Sequence, residues 1–162
     1  MKTLILIRHA KSSWKHDVID HERPLNNRGK NDAKTVSKYF KSKELSPDKV
    51  LISDANRTRL TANRFIETLD IPAHIIEYNH KLYDFSGYDL TEVIKSCSSD
   101  ISRLMVFGHN HAITAFVNTY GSVYIDNVPT CGVVIIEFDI ENWYNLKQGR
   151  TVLKVFPKDL KS

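Results

Sequence analysis

Apolar residues in this chain gather in short, near-continuous runs that stop abruptly at polar or charged ones. Residues 3–7 form such a run, ended by Arg8-His9; "KVLISDAN" repeats the pattern and "RLMVFGHN" repeats it again. Runs of this length, without polar alternation, predict strands covered on both faces. Between them the period changes. Residues 28–42 place Ala33, Val36, Tyr39 and Phe40 at helical intervals with lysines on the outer side, and Ser46-Pro47 closes that segment. Residues 57–69 predict a second helix with Leu60, Phe65, Ile66 and Leu69 turned inward, and residues 75–78 a short strand. "YDLTEVIKSC" predicts a short helix, residues 112–120 another, and "VVIIEF" and "TVLKVF" an antiparallel pair of strands at one edge.

Strands alternating with helices predict an α/β protein, a three-layer α/β/α sandwich whose central sheet is mostly parallel with an antiparallel edge. Ligands in such folds bind beyond the carboxyl ends of the strands. Three of those ends carry unusual polar residues: Arg8-His9, the segment from Ser53 to Arg57, and Gly108-His109-Asn110.

The 162 residues, 41% apolar and 26% charged, fit one globular domain and exclude disordered, collagen-like and coiled-coil chains. An excess of 23 Lys and Arg over 19 Asp and Glu favours anionic substrates or acidic protein partners, but is too slight to argue for nucleic acid. Cys97 and Cys131 are far apart and form no C-x-x-C pair, so neither a disulfide framework nor a structural zinc site is expected. The opening residues fall short of a signal peptide, and no run approaches the ~18 apolar residues of a membrane span. The expectation is a soluble cytoplasmic protein without membrane association.

Two histidines and two arginines gathered at the strand ends would suit phosphoryl transfer. Guanidinium groups offer several fixed donors to phosphate oxygens and stay charged at any accessible pH. An imidazole beside such cations keeps its neutral form, with a free nitrogen lone pair able to attack phosphorus and form a phosphohistidine intermediate. Taken singly, each residue has a blander reading. Arg8-His9 could be an ordinary strand-end pair, Arg57 a solvated helix arginine, and His109 a helix cap.

Together these segments resemble the histidine phosphatase superfamily. "LILIRHAKSSW", "RPLNNRG", "LISDANRTRLTA" and "MVFGHN" are similar in kind and order to its phosphoglycerate mutase-like members, above all to the small SixA-like phosphohistidine phosphatases, and the similarity continues through "NVPTCGVVIIEFD". The resemblance implies one histidine phosphatase domain over residues 1–162. It implies His9 as the phosphorylated residue and Arg8, Arg57 and His109 as the phosphate pocket, with no metal and no cofactor. It adds Arg23 as a phosphate contact, Asp20 as its orienter or a proton donor, and Ser12, Ser13 and Asn110 as hydrogen-bonding groups. Ala10 stands where the wider family has glycine. The leaving-group glutamate of larger relatives has no match; Asp84 lies near its place, although "LYDFSGYDL" equally resembles a SixA-like segment lacking such an acid. An alkoxide leaving group needs a general acid, whereas the imidazole of a phosphohistidine does not. The implied substrate is therefore a phosphohistidine on a signalling or phosphotransfer protein, taken in an open, shallow site.

Other readings use the same residues. A small phosphate ester would be the substrate if an acid were supplied, and a phosphoprotein-binding module would keep the cationic pocket without turnover. A metal-dependent phosphoesterase built on His9, His109, His111 and nearby aspartates sets Arg8 and Arg57 against the metal's charge. Trp14 and Tyr88 are candidates for the pocket rim, Cys131 for a small core filler, and His16, His21, His74 and His80 for ordinary solvated or hydrogen-bonded histidines.

Overall fold

In the computed structural model, residues 1–161 are described. Six strands, β1 (Lys2–Arg8), β2 (Lys49–Ile52), β3 (Ile76–Tyr78), β4 (Arg103–Gly108), β5 (Val133–Phe138) and β6 (Arg150–Val155), form one sheet in the order β3-β2-β4-β1-β5-β6. The pairs β3–β2, β2–β4 and β4–β1 are parallel; β1–β5 and β5–β6 are antiparallel. The sheet is thus mixed, with its antiparallel part at one edge.

Four helices cover it: α1 (Asn27–Ser42), α2 (Asn56–Leu69), α3 (Tyr88–Lys95) and α4 (Ala112–Tyr120). Strand β1 shows why its sequence is apolar at every position. Leu4 and Leu6 join one core with Leu90, Val93 and Ile94 of α3 and Ile113, Phe116 and Val117 of α4. Ile5 and Ile7 join the opposite core with Ala33, Val36 and Phe40 of α1 and Ala62 and Phe65 of α2. Side chains alternate across a strand, so a central strand sandwiched between helix layers must be apolar on both faces. No helix among the described residues is long and apolar enough to cross a membrane.

One inward assignment is corrected. Leu60 is exposed, and the buried face of α2 is Arg57, Thr58, Thr61, Ala62 and Phe65. The first turns of this helix meet the polar strand ends rather than the core, so hydroxyls and a guanidinium take the inner positions there.

Candidate active site

Register brings three distant stretches of chain to one place. Arg8 at the end of β1 pairs with Gly108 at the end of β4, and Ile52 at the end of β2 pairs with Phe107. One residue further, the His9 amide donates to the Gly108 carbonyl and the Ser53 amide to the Phe107 carbonyl, each at 3.1 Å. The buried rings of His9 and His109 then lie 5.2 Å apart between centroids.

The tautomer of His9 follows from its partner. Nδ1 lies 2.7 Å from the Ala10 carbonyl oxygen, which can only accept, so Nδ1 carries the proton and Nε2 keeps the lone pair. Arg57 Nε donates to that Nε2 over 3.4 Å. Burial, opposed by the Ala10 bond and reinforced by Arg57, Arg8 and Arg23, pushes the His9 pKa down to about 3. The imidazole is therefore neutral at neutral pH. Thr61 holds the backbone behind it, accepting from the Ala10 amide (2.9 Å) and donating to the Arg57 carbonyl (2.8 Å).

His109 is oriented in the opposite sense. Its Nε2 lies 2.8 Å from Ser53 Oγ and 3.2 Å from Thr58 Oγ1. Ser53 Oγ accepts from the Ala55 amide (3.3 Å) and has its own hydrogen to donate. In the tautomer with both hydroxyls donating to Nε2, Nδ1 carries the proton. Burial, then His9 and Arg57, bring the His109 pKa down to about 2. Arg8 donates from Nη1 to the Val128 carbonyl at 2.9 Å. Among the described residues, Arg8 Nε and His109 Nδ1 are buried nitrogens without a hydrogen-bond partner, as is Arg64 Nε elsewhere on α2. Buried donors are normally satisfied, and two unsatisfied ones beside a neutral imidazole suit an anion.

The model of the histidine phosphatase superfamily (branch 1) matches residues 4–80. An uncharacterised chloroplast protein of Arabidopsis thaliana is 30% identical over 151 residues, covering 88% of this chain and 69% of that one. An uncharacterised Mycobacterium tuberculosis protein is 26% identical over 160 residues, covering 93% and 98% respectively. The chain belongs to the histidine phosphatase superfamily. The solved structure of the protein histidine phosphatase SixA complexed with tungstate shares the fold, with a TM-score of 0.84 at 16% identity over 98% of this chain and 99% of that one. The protein is a phosphatase, a hydrolase of phosphorylated substrates.

In this phosphatase Arg57 and Arg23 converge on one carboxylate. Asp20 Oδ2 accepts from Arg57 Nη2 (3.0 Å) and from the Tyr83 hydroxyl (2.5 Å), Oδ1 accepts from Arg23 Nε (3.0 Å), and the Asp20 carbonyl accepts from Arg57 Nη1 (2.8 Å). Burial alone would raise the Asp20 pKa; Tyr83, Arg57 and Arg23 outweigh it and hold the acid to about 2. Of the two roles expected for Asp20, a carboxylate this acidic fits the orienter and not the proton donor. Asp84 is engaged elsewhere, accepting from the Gly87 and Leu90 amides at 3.0 Å each at the start of α3. Arg57, His9 and His109 are all buried, Arg57 against Asp20 and His109 against the Tyr83 and Phe85 rings.

Ser12 Oγ accepts from Arg23 Nη1 at 2.6 Å, and the Arg23 guanidinium stacks 3.5 Å from the centroid of the exposed Trp14 ring. Ser13 is buried, its carbonyl accepting from Arg23 Nη1 and its hydroxyl from the Lys15 amide. Asn110 caps α4, its carbonyl oxygen accepting from the Thr114 amide (3.1 Å) and hydroxyl (2.7 Å) while its amide donates to Asn127 (2.8 Å). Tyr88 stands exposed at the start of α3, and Cys131 is buried with its thiol pKa raised by burial, as a core residue should be. The glycine of "RPLNNRG" has a steric reason. A Cβ on Gly29 would come within 2.1 Å of the Lys11 carbonyl oxygen, so only glycine lets the first turn of α1 approach the loop that follows His9.

Sequence reasoning missed Ser53, Thr58, Thr61 and Tyr83 as supports of the site, although Ser53 lies in a strand-end segment it had marked. His21 and His80, expected to be ordinary solvated or hydrogen-bonded histidines, are of the second kind. Both turn toward Asp54: His21 Nε2 lies 2.9 Å from Oδ1, and His80 Nδ1 lies 2.9 Å from Oδ2. The signal available was Asp54 itself, an acid directly after Ser53 at the end of β2.

Proposed function

We propose that this phosphatase works through a phospho-His9 intermediate, without a metal, and that its substrate is a phosphohistidine on a signalling or phosphotransfer protein. The observation that carries the reading is the pairing of His9, with Nδ1–H tied to Ala10 and Nε2 bearing the lone pair, with the unsatisfied donors Arg8 Nε and His109 Nδ1. His9 Nε2 attacks phosphorus; the P–N bond of the substrate breaks and its electron pair returns to the departing imidazole. Water then attacks the phosphorylated Nε2, the new P–N bond breaks, and inorganic phosphate leaves with His9 neutral again. Arg8, Arg57 and His109 stabilise the charge on the equatorial oxygens, an electrostatic role worth ~10²–10³ in rate per donor in other enzymes.

The leaving group decides the substrate class. Asp20 is held ionised and Asp84 is engaged in capping α3, so neither supplies a proton to a basic alkoxide. A phosphohistidine needs no acid from the enzyme, because the ring nitrogen not bonded to phosphorus takes a proton from solvent and the imidazole then leaves neutral. The tungstate bound in the SixA structure, a tetrahedral oxyanion, supports an anion site in this fold. Three arginines at the site oppose a metal cation on electrostatic grounds. The two cysteines are unpaired, which supports a reducing cytoplasmic setting.

The test compares turnover of a phosphohistidine domain, p-nitrophenyl phosphate and an alkyl phosphate in the presence of a chelator. The expected order is phosphohistidine first, the activated aryl ester second, the alkyl ester last. Equal or faster alkyl turnover would favour a small-molecule phosphomonoesterase, and tight binding without release would favour a phosphoprotein-binding module.

A further inference from the structure

His21, Asp54 and His80 come from three separate loops: the 3-10 turn Asp20–Glu22, the link between β2 and α2, and the 3-10 turn His80–Leu82. Their donor atoms lie within 4.8 Å of one another. His21 is bounded by carboxylates on both ring nitrogens, with Nδ1 3.1 Å from Glu22 Oε1 and Nε2 2.9 Å from Asp54 Oδ1. A neutral imidazole has one N–H. With Nδ1–H donated to Glu22, His21 Nε2 either carries a second proton toward Asp54 or offers its lone pair to a metal ion held between it and Asp54.

We infer that His21 Nε2, Asp54 and His80 Nδ1 form a binding site for one divalent transition-metal ion of the zinc type, at the rim of the phosphatase site. Two imidazoles and a carboxylate, with a position left for water, are a donor set zinc accepts. Tetrahedral ligands ~2.0–2.2 Å from zinc lie roughly 3.3–3.6 Å apart. The two histidine–Asp54 contacts, now 2.9 Å, need part by a few tenths of an ångström, and His21 Nε2 and His80 Nδ1, within 4.8 Å of each other, come to the same spacing by side-chain rotation in their loops. Glu22 completes the arrangement from outside, fixing the His21 tautomer that presents Nε2, as carboxylates behind metal-bound histidines commonly do.

The site is separate from the anion pocket but adjoins its supports. His21 follows Asp20, which holds Arg57 and Arg23; Asp54 follows Ser53, which bonds His109; His80 sits one turn before Tyr83, whose hydroxyl meets Asp20. An ion bound there would tie together the three loops that carry these residues. Its role is to brace the site, not to take part in phosphoryl transfer.

The experiment titrates the metal-stripped full chain with Zn²⁺ by calorimetry and follows the melting temperature in parallel. The inference expects one ion per chain and a zinc-dependent rise in melting temperature. His80→Ala, at an exposed position that leaves folding intact, and Asp54→Asn should each weaken binding at least tenfold and abolish the rise. Glu22→Gln should weaken binding by ~10–100-fold while leaving the three ligands in place. His74→Ala, in a different turn, should change nothing. Absence of stoichiometric binding, or binding as tight in His80→Ala as in the parent, would overturn the site whatever the outcome of the phosphatase assays.

Discussion

Ser53 Oγ lies 2.8 Å from His109 Nε2, a bond that ties the serine after β2 to the histidine after β4. With the serine donating, the proton sits on Nδ1, which has no partner among the described residues.

Ser53→Ala should therefore lower kcat with little change in KM, because the imidazole loses its preference for the Nδ1–H form. The loss should be smaller than the ~10²–10³-fold expected when an oxyanion donor is removed outright, which His109→Ala supplies. Thr58 provides a second hydroxyl at 3.2 Å, so Ser53→Ala with Thr58→Val should approach the His109→Ala value. Steady-state kinetics on the three variants and the parent measures the series.

Asp20 presents a fixed negative charge to the two guanidiniums that the proposed chemistry needs. Asp20→Asn should strengthen inhibition by inorganic phosphate several-fold, since the anion no longer competes with a carboxylate for Arg57 and Arg23. It should also lower kcat, because both guanidiniums lose their orienting partner. Phosphate inhibition constants beside kcat separate the two effects, and weaker phosphate binding in the variant would contradict the competition.

Gly29→Ala pushes a methyl group to within 2.1 Å of the Lys11 carbonyl oxygen. The loop carrying Ser12 must retreat or α1 must shift, at ~1–3 kcal/mol, the usual range for overpacking. Denaturant unfolding measures the loss. Activity should fall too, because Ser12 Oγ bonds Arg23 at 2.6 Å.

The pH dependence follows from two buried neutral imidazoles. With folded pKa values of about 3 for His9 and about 2 for His109, kcat/KM should show no acidic limb near the ordinary histidine value of ~6.5. Stability follows the same depression. Below ~6.5 the unfolded chain takes up protons that the folded one refuses, so stability present above that pH is lost as pH falls toward the folded values. Melting temperature should decline over that window, and His9→Asn should flatten the decline. An acidic limb close to 6.5 would show that the imidazoles are more open to solvent than this structure allows.

Much of this fold could be read from the chain because each strand is a run of apolar residues that stops at polar ones, as "LILI" stops at Arg8-His9. Register then needed only the parallel sheet to bring three such ends together. What the pattern hid were contacts between loops. Asp20 meets Arg57 across 37 positions and Tyr83 across 63, a pairing no periodicity encodes. The fate of His21 and His80 depended on Asp54 in the same way. Leu60 misled because helical spacing treats every apolar residue on a face alike, whereas α2 turns its polar face toward the site at its first turns. Asp84 sat near the place of a catalytic acid by sequence order, yet the start of α3 claims its carboxylate.

The most direct test is to mix the protein with a phosphorylated histidine domain, quench in alkali within the first turnovers, and locate phosphate on the enzyme by peptide mass analysis. The account predicts acid-labile phosphate on His9, absent from His9→Ala, which keeps the fold but not turnover. Full turnover by His9→Ala, or phosphate on any other residue, would contradict it.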